Sequence, residues 1–115
     1  MKLATNLKHI VTADELRQIL SENENVMVCC GRMGPMCIPV YATMEELESE
    51  YENVAFYDMA FDSPEAGIIK SLPECRTFRG LPFTVYYKNG QVVKATASIQ
   101  TKEQITTILN DVYEG

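Results

Sequence analysis

A run of five apolar residues, Val26-Met27-Val28-Cys29-Cys30, constrains the fold of this chain more than any other feature. No polar residue interrupts the run, so a strand formed by it must be covered on both faces. Such a strand lies in the middle of a sheet that has a further layer on each side. The run is far shorter than the ~20 apolar residues that a membrane-spanning helix requires. We therefore expect a central strand in a layered α/β protein.

Strand and helix patterns alternate along the rest of the chain. Thr12 with Glu15 and Thr101 with Gln104 form capping-box sequences, which open helices. Asn89-Gly90 lies between two apolar segments and is typical of a two-residue β-hairpin turn. We predict strands at 7–11, 26–30, 53–61, 81–87 and 91–97, with helices from Thr12 to about Ser21, from Pro35 to about Tyr51, from Ser63 through Ile69 and from Thr101 onward. The order β-α-β-α-β-α-β-β-α predicts a single α/β domain over residues 1–115, with a central mixed sheet and helices on both faces.

Charge and cysteine content limit the function classes. Sixteen acidic residues against ten basic residues give a net charge of −6, which repels nucleic-acid phosphates, so we expect no nucleic-acid partner. The N-terminal residues lack the apolar core of a signal peptide, so we expect a cytoplasmic protein with no membrane association. Four cysteines in such a chain indicate redox or metal chemistry rather than structural disulfides.

The predicted order and several local strings resemble the thioredoxin family over about residues 7–113. The most specific string is Gly80-Leu81-Pro82-Phe83-Thr84-Val85-Tyr86-Tyr87-Lys88-Asn89-Gly90, which is similar to the family's cis-proline strand and its Lys-Asn-Gly hairpin. Gly34-Pro35, with a cysteine and a helix after it, resembles the active-site helix, and Phe61-Asp62-Ser63-Pro64 resembles the end of the third strand. The resemblance implies the thioredoxin fold, a cis peptide bond before Pro82 and thiol–disulfide chemistry without a cofactor or metal.

The active-site string departs from the family pattern. Thioredoxins carry Cys-Gly-Pro-Cys where this chain reads Cys30-Gly31-Arg32-Met33-Gly34-Pro35-Met36-Cys37. Aligned on Gly-Pro, both cysteines of the motif are replaced by methionines, whereas counting back from the end of the helix places Cys37 at the second cysteine. Val28 stands where the family has a buried acid, and an insertion before Pro82 contains Cys75.

The residues around Gly34 and Pro35 allow thiol chemistry even without the Cys-Gly-Pro-Cys motif. If Pro35 is the first helical residue, Cys37 lies in the first turn, where backbone N–H groups and the helix dipole favour the thiolate. Arg32 adds a cation beside it. We expect Cys30, at the end of the preceding strand, to pair with Cys37 as the catalytic thiols, while Cys29 alternates to the opposite face and lies in the core. Which of the two paired thiols attacks stays open.

The resemblance also implies a substrate groove. Leu81, before the cis proline Pro82, would offer its backbone to an extended substrate, with Met33 and Met36 as adaptable apolar contacts. Cys75 is a candidate third thiol because the family's geometry places the cis-proline loop beside the active site.

Three hypotheses remain open from the sequence. The first is a monomeric thiol–disulfide oxidoreductase of redox homeostasis and electron transport, acting on protein or small-molecule disulfides and reduced by a donor like thioredoxin reductase. The second is a non-catalytic module that keeps the peptide groove. The third is a metal or iron–sulfur site built from the cysteines, although their spacing matches no ligand pattern.

Overall fold

The computed structural model describes residues 1–113. The strands are β1 Lys8–Ile10, β2 Asn25–Gly31, β3 Ala55–Ala60, β4 Phe83–Lys88 and β5 Gln91–Ala97, and the α-helices are α1 Ala13–Glu22, α2 Ile38–Leu47, α3 Gly67–Lys70 and α4 Lys102–Val112. A short 3₁₀ helix, Pro73–Cys75, lies between α3 and β4. The predicted order of elements is confirmed. Within the described residues, no helix has the length and apolar character needed to cross a membrane.

The five strands form one mixed sheet in the order β1-β3-β2-β4-β5. Strands β1 and β2 pair with β3 in parallel, whereas β4 runs antiparallel to both β2 and β5. Every residue of β2 is buried, as the uninterrupted apolar run predicts. The sheet's centre is therefore the segment that carries Cys29 and Cys30.

Helices cover both faces of the sheet and enclose two separate hydrophobic cores. One core lies between the sheet and helices α2 and α4, and we call that side the α2/α4 face. The other core contains residues of α1 and α3 and lies on the opposite side, the α1/α3 face. Because neighbouring strand residues point to opposite faces, Met27 and Cys29 face α2 and α4, while Val28 and Cys30 face α1 and α3.

The local signals read from the sequence form as expected. Both capping boxes are present, with Thr12 and Thr101 at the N-caps of α1 and α4. Asn89 and Gly90 have φ values of 52° and 77°. Positive φ at both central residues is what a type I′ hairpin turn requires, so these two residues fix the pairing of β4 with β5.

Helix α2 begins later than predicted, at Ile38 rather than Pro35. Residues 34–37 form a turn, in which the amides of Cys37 and Ile38 both donate to the Gly34 carbonyl. Pro39 has no N–H and cannot donate to the carbonyl of Pro35, so a regular helix starting at Pro35 would be interrupted at once. In the observed helix Pro39 lies in the first turn, where its N–H is not needed.

Candidate functional site

The peptide bond between Leu81 and Pro82 is cis, as predicted. The amide of Ser98 donates to the carbonyls of Gly80 and Pro82, at 3.1 and 3.0 Å, and so holds the residues on either side of Leu81. Neither the N–H nor the C=O of Leu81 makes a backbone hydrogen bond within residues 1–113. The Leu81 backbone therefore has no backbone partner among the described residues.

Three side chains converge on Gly31, the last residue of β2. A Cβ atom at Gly31 would stand 2.6 Å from Tyr41 Oη, 2.8 Å from Cys37 Sγ and 3.0 Å from Pro82 Cβ. Only glycine leaves space for all three groups, because real Cβ atoms do not approach other heavy atoms this closely. The missing side chain at Gly31 thus lets the thiol of Cys37 lie next to the cis proline.

Cys37 is the N-cap residue of α2, one position before the first turn in which it was predicted. Its side chain is only 2% exposed, and its Sγ accepts the backbone N–H of Arg32 at 3.4 Å. Tyr41, one helical turn further on, donates its hydroxyl to the Arg32 carbonyl at 3.0 Å. The main chain of Arg32 is therefore held between Cys37 and Tyr41.

The guanidinium group of Arg32 does not act as a free cation beside the thiol. It makes two hydrogen bonds of 2.8 Å to the carboxylate of Asp62 and lies 5.2 Å from the centre of the Phe61 ring. The hydrogen bond from Arg32 lowers the pKa of Asp62, so this carboxylate stays charged. We predicted that the positive charge of Arg32 acts on the Cys37 thiol. In the structure Asp62 offsets that charge, and the group of Arg32 that contacts the sulfur is its backbone N–H.

The structure places Cys30 and Cys37, the predicted pair, in different cores. All four cysteines lie in the described residues and all are free thiols. Cys29 and Cys37 belong to the core of the α2/α4 face, whereas Cys30 and Cys75 belong to the core of the α1/α3 face. The sheet lies between the two sets because Cys29 and Cys30 alternate along β2. Cys75 consequently does not join Cys37, and the four thiols do not surround one metal position.

Burial keeps three of the thiols protonated at neutral pH. It raises the pKa of Cys29 well above the ordinary range, that of Cys30 to about 12 and that of Cys75 to about 11. The hydroxyl of Thr84 donates to Cys29 Sγ at 3.7 Å and opposes this rise only in part. Cys37 is the thiol that lies beside the cis proline and accepts a backbone N–H.

Exposed apolar side chains lie in the segment around Cys37. Met33, Met36 and Ile38 are 43%, 44% and 45% exposed, which is high for side chains of this size. Gly34 is half-buried and Pro35 is exposed. This segment, the loop of residues 33–37 with the first residue of α2, is therefore apolar and exposed, with Cys37 buried within it.

A buried carboxylate that sequence reasoning did not single out lies in β3. Asp58 is fully buried, accepts a hydrogen bond from the Thr5 hydroxyl and lies 2.7 Å from Nδ1 of His9. Burial raises the pKa of Asp58, while the hydrogen bonds from Thr5 and His9 oppose the rise. In the parallel register Asp58 stands opposite both His9 and Cys29. No local sequence signal links Asp58 to His9 or Cys29. The proximity of Tyr41 to Cys37, in contrast, could be predicted from their i,i+4 spacing.

Comparisons with known proteins identify the fold. No protein-family model and no curated protein matches the sequence. Thioredoxin from Trypanosoma brucei brucei is similar in structure, with a TM-score of 0.77 and 17% identity, covering 96% of this chain and 93% of that chain. Oxidised thioredoxin from Plasmodium falciparum has a TM-score of 0.72 at 19% identity and covers 96% and 100%. Mitochondrial thioredoxin 3 from Saccharomyces cerevisiae has a TM-score of 0.75 at 19% identity and covers 92% and 95%.

Proposed function

The chain has the thioredoxin fold, and from this premise we propose that it is a binding module for an extended segment of a partner protein, taken up beside Leu81 and Pro82. The observation that carries the proposal is the exposed apolar loop of Met33, Met36 and Ile38 in the segment that contains Cys37, whose sulfur lies close to Pro82. Exposed apolar side chains that cluster in one segment are typical of a recognition surface.

The backbone of Leu81 supplies the polar part of the interaction. An extended segment laid along Leu81 would pair with its free N–H and C=O, as in binding by β-strand addition. Main-chain hydrogen bonds of this kind give affinity without fixing the sequence of the bound segment. The flexible side chains of Met33 and Met36 adapt to varied apolar residues, which suits a surface with more than one partner.

The distribution of thiols supports binding over two-thiol catalysis at the loop. Aligned on Gly34-Pro35, the first cysteine of the family's motif is replaced by Met33, and Cys30 lies on the other face of the sheet. A mixed disulfide formed at Cys37 would have no second thiol in residues 31–36 to release it, so release would depend on Cys29 from the core below.

Thiol–disulfide exchange through Cys37 is the second candidate function, favoured by the contact of its sulfur with the Arg32 N–H. In this reaction the Cys37 thiolate attacks a protein or small-molecule disulfide, forms a mixed disulfide and expels one substrate thiolate. A second thiol then attacks the mixed disulfide, and a reductase-like donor would return Cys37 to the thiol. Protein substrates would approach along the same surface at Leu81 and Pro82.

Fluorescence anisotropy with a library of labelled, cysteine-free apolar peptides tests the binding function. We expect extended peptides to bind the wild-type protein, and M36E to weaken binding by about tenfold, the equivalent of about 1.4 kcal/mol. V93E is the matched control, because Val93 is 43% exposed but lies on β5. Absence of peptide binding to the wild type, or an equal loss of affinity in V93E, would refute the proposed binding function.

Turnover of a small aromatic disulfide tests the second candidate. The reaction is followed with dithiothreitol as the reductant in wild type, C37S and the control C30S. Exchange at Cys37 predicts that C37S abolishes turnover and that C30S retains it. Equal turnover in all three proteins would exclude Cys37 as the reacting thiol.

A further inference from the structure

Cys29 and Cys37 lie on the same side of the sheet, beneath the surface proposed for binding. Both side chains belong to the core of the α2/α4 face. Cys29 lies two residues before Gly31 on the same side of β2, and Cys37 Sγ lies 2.8 Å from the position of a Gly31 Cβ. Residues two apart on a strand are separated by roughly 7 Å along the strand, so the Cys37 sulfur, which lies at Gly31, is about one such step from Cys29.

Electrostatic effects agree with this placement. Burial is the main cause that raises the pKa of Cys29, but among the neighbouring charges Cys37 contributes more than Cys30, the adjacent residue in the chain. The pKa of Tyr41 is raised first by burial and then by Cys29 and Cys37 together. Tyr41, on α2, belongs to the same core as both thiols.

We propose that Cys29 and Cys37 form an internal redox pair, which a small hydroperoxide converts to a disulfide beneath the Leu81–Pro82 surface. This inference goes beyond binding, and it does not require that any peptide occupy the groove. The sulfur that meets the oxidant is Cys37, because Cys29 is completely buried. The 2% exposure of Cys37 favours an oxidant of two oxygen atoms over a bulky disulfide.

The reaction balances in two steps. The Cys37 thiolate attacks one peroxide oxygen, the O–O bond breaks, and Cys37 becomes a sulfenic acid while hydroxide leaves and takes up a proton as water. Cys29 then attacks the Cys37 sulfur, so that the S–S bond forms and the S–O bond breaks. The departing hydroxide takes the Cys29 proton and leaves as a second water. Two thiols are oxidised and one peroxide is reduced.

The local structure allows the small approach that a disulfide needs. A disulfide requires Cα atoms within about 4.4–6.8 Å. Cys29 is fixed in the central strand, whereas Cys37 ends a turn of exposed residues and precedes α2. Cys37 is therefore the residue that moves, and Gly31 places no side chain beside its sulfur.

Hydrogen peroxide treatment of the folded, reduced protein tests the pair. The product is alkylated, digested without reduction and analysed by mass spectrometry. We expect a cross-link between the segment containing Cys29 and Cys30 and the segment containing Cys37, with the loss of two hydrogens. C30S should form the same link, whereas C29S should not form it and should instead leave a Cys37 sulfenic acid that dimedone traps.

Several outcomes would overturn the pair. They are a link that persists in C29S and disappears in C30S, a link from Cys37 to Cys75, and the absence of any link to Cys37 in the wild type. If C29S does not fold, fragmentation of the wild-type cross-linked peptide between Cys29 and Cys30 identifies the bonded residue directly. Because no peptide is present, a failure here leaves the binding experiment unaffected, and a failure of binding leaves the cross-link intact.

Discussion

The sulfur of Cys37 lies 2.8 Å from the point at which a Cβ atom on Gly31 would stand. Gly31 ends the central strand, and its missing side chain is what brings a thiol, a tyrosine hydroxyl and the cis proline together. The candidate site therefore depends on a residue that carries no chemistry of its own.

The first prediction concerns this contact. G31A should destabilise the protein by about 1–3 kcal/mol, because the added methyl group overlaps Cys37 Sγ and Tyr41 Oη in a packed site. G34A is the matched control, since nothing lies within 4 Å of a Cβ added there. Urea unfolding followed by circular dichroism gives both free energies. Equal stability of G31A and G34A would show that the site repacks at no cost.

The second prediction concerns the order in which the thiols react. Cys37 should be alkylated before Cys29, Cys30 and Cys75 at neutral pH, because burial holds the pKa of those three thiols far above 7. Iodoacetamide labelling of the reduced, folded protein, quenched at intervals and mapped by mass spectrometry, gives the order. Cys37 labelling at the rate of Cys29 would contradict the prediction.

The third prediction concerns the ion pair of Arg32 with Asp62. D62N leaves the Arg32 charge without its carboxylate, so the Cys37 thiolate should be favoured and its alkylation should speed up. The gain should be on the order of twofold, because both side chains are about half exposed and water screens the charge. Alkylation rates at low and high salt measure the effect, which should vanish at high salt. A gain that does not depend on salt would point to a change in structure instead.

The fourth prediction concerns the buried Asp58. H9A removes a hydrogen bond and a charge that oppose the rise in the pKa of Asp58, so this pKa should rise further. A carboxyl whose pKa is raised by folding binds its proton more tightly in the folded state, so stability falls as pH increases through that pKa. H9A should therefore cost about 1–3 kcal/mol at neutral pH, and less at a pH low enough to protonate Asp58.

Urea unfolding at the two pH values measures this effect. H9N is the control, because it keeps a hydrogen-bond donor at the same position. The groups that act on the pKa of Asp58 are His9 on β1, Thr5 before it and Glu45 on α2, and Cys29 stands opposite Asp58 on β2. A penalty for H9A that is the same at both pH values would show that the charge of Asp58 is not involved.

Local sequence signals predicted most of the fold. The apolar run of β2, the two capping boxes and the Asn89-Gly90 turn each act through neighbours in the chain, and all are present in the structure. The predicted start of α2 at Pro35 was wrong. Pro39 has no N–H to donate to the Pro35 carbonyl, and this outweighed the preference of Pro35 for the first turn of a helix. The cis bond before Pro82 came from the family resemblance rather than from any local signal.

Alternation along a strand determined from the sequence alone that Cys29 and Cys30 point to opposite faces. It could not determine which of them faces Cys37, because that depends on the face over which α2 crosses between β2 and β3. The contact of His9 with Asp58 likewise joins residues 49 positions apart and exists only through the parallel register of β1 with β3. The sequence by itself therefore determined the elements and their alternating faces. Only the packing of helices onto the sheet decided which thiols and which carboxylate share one core.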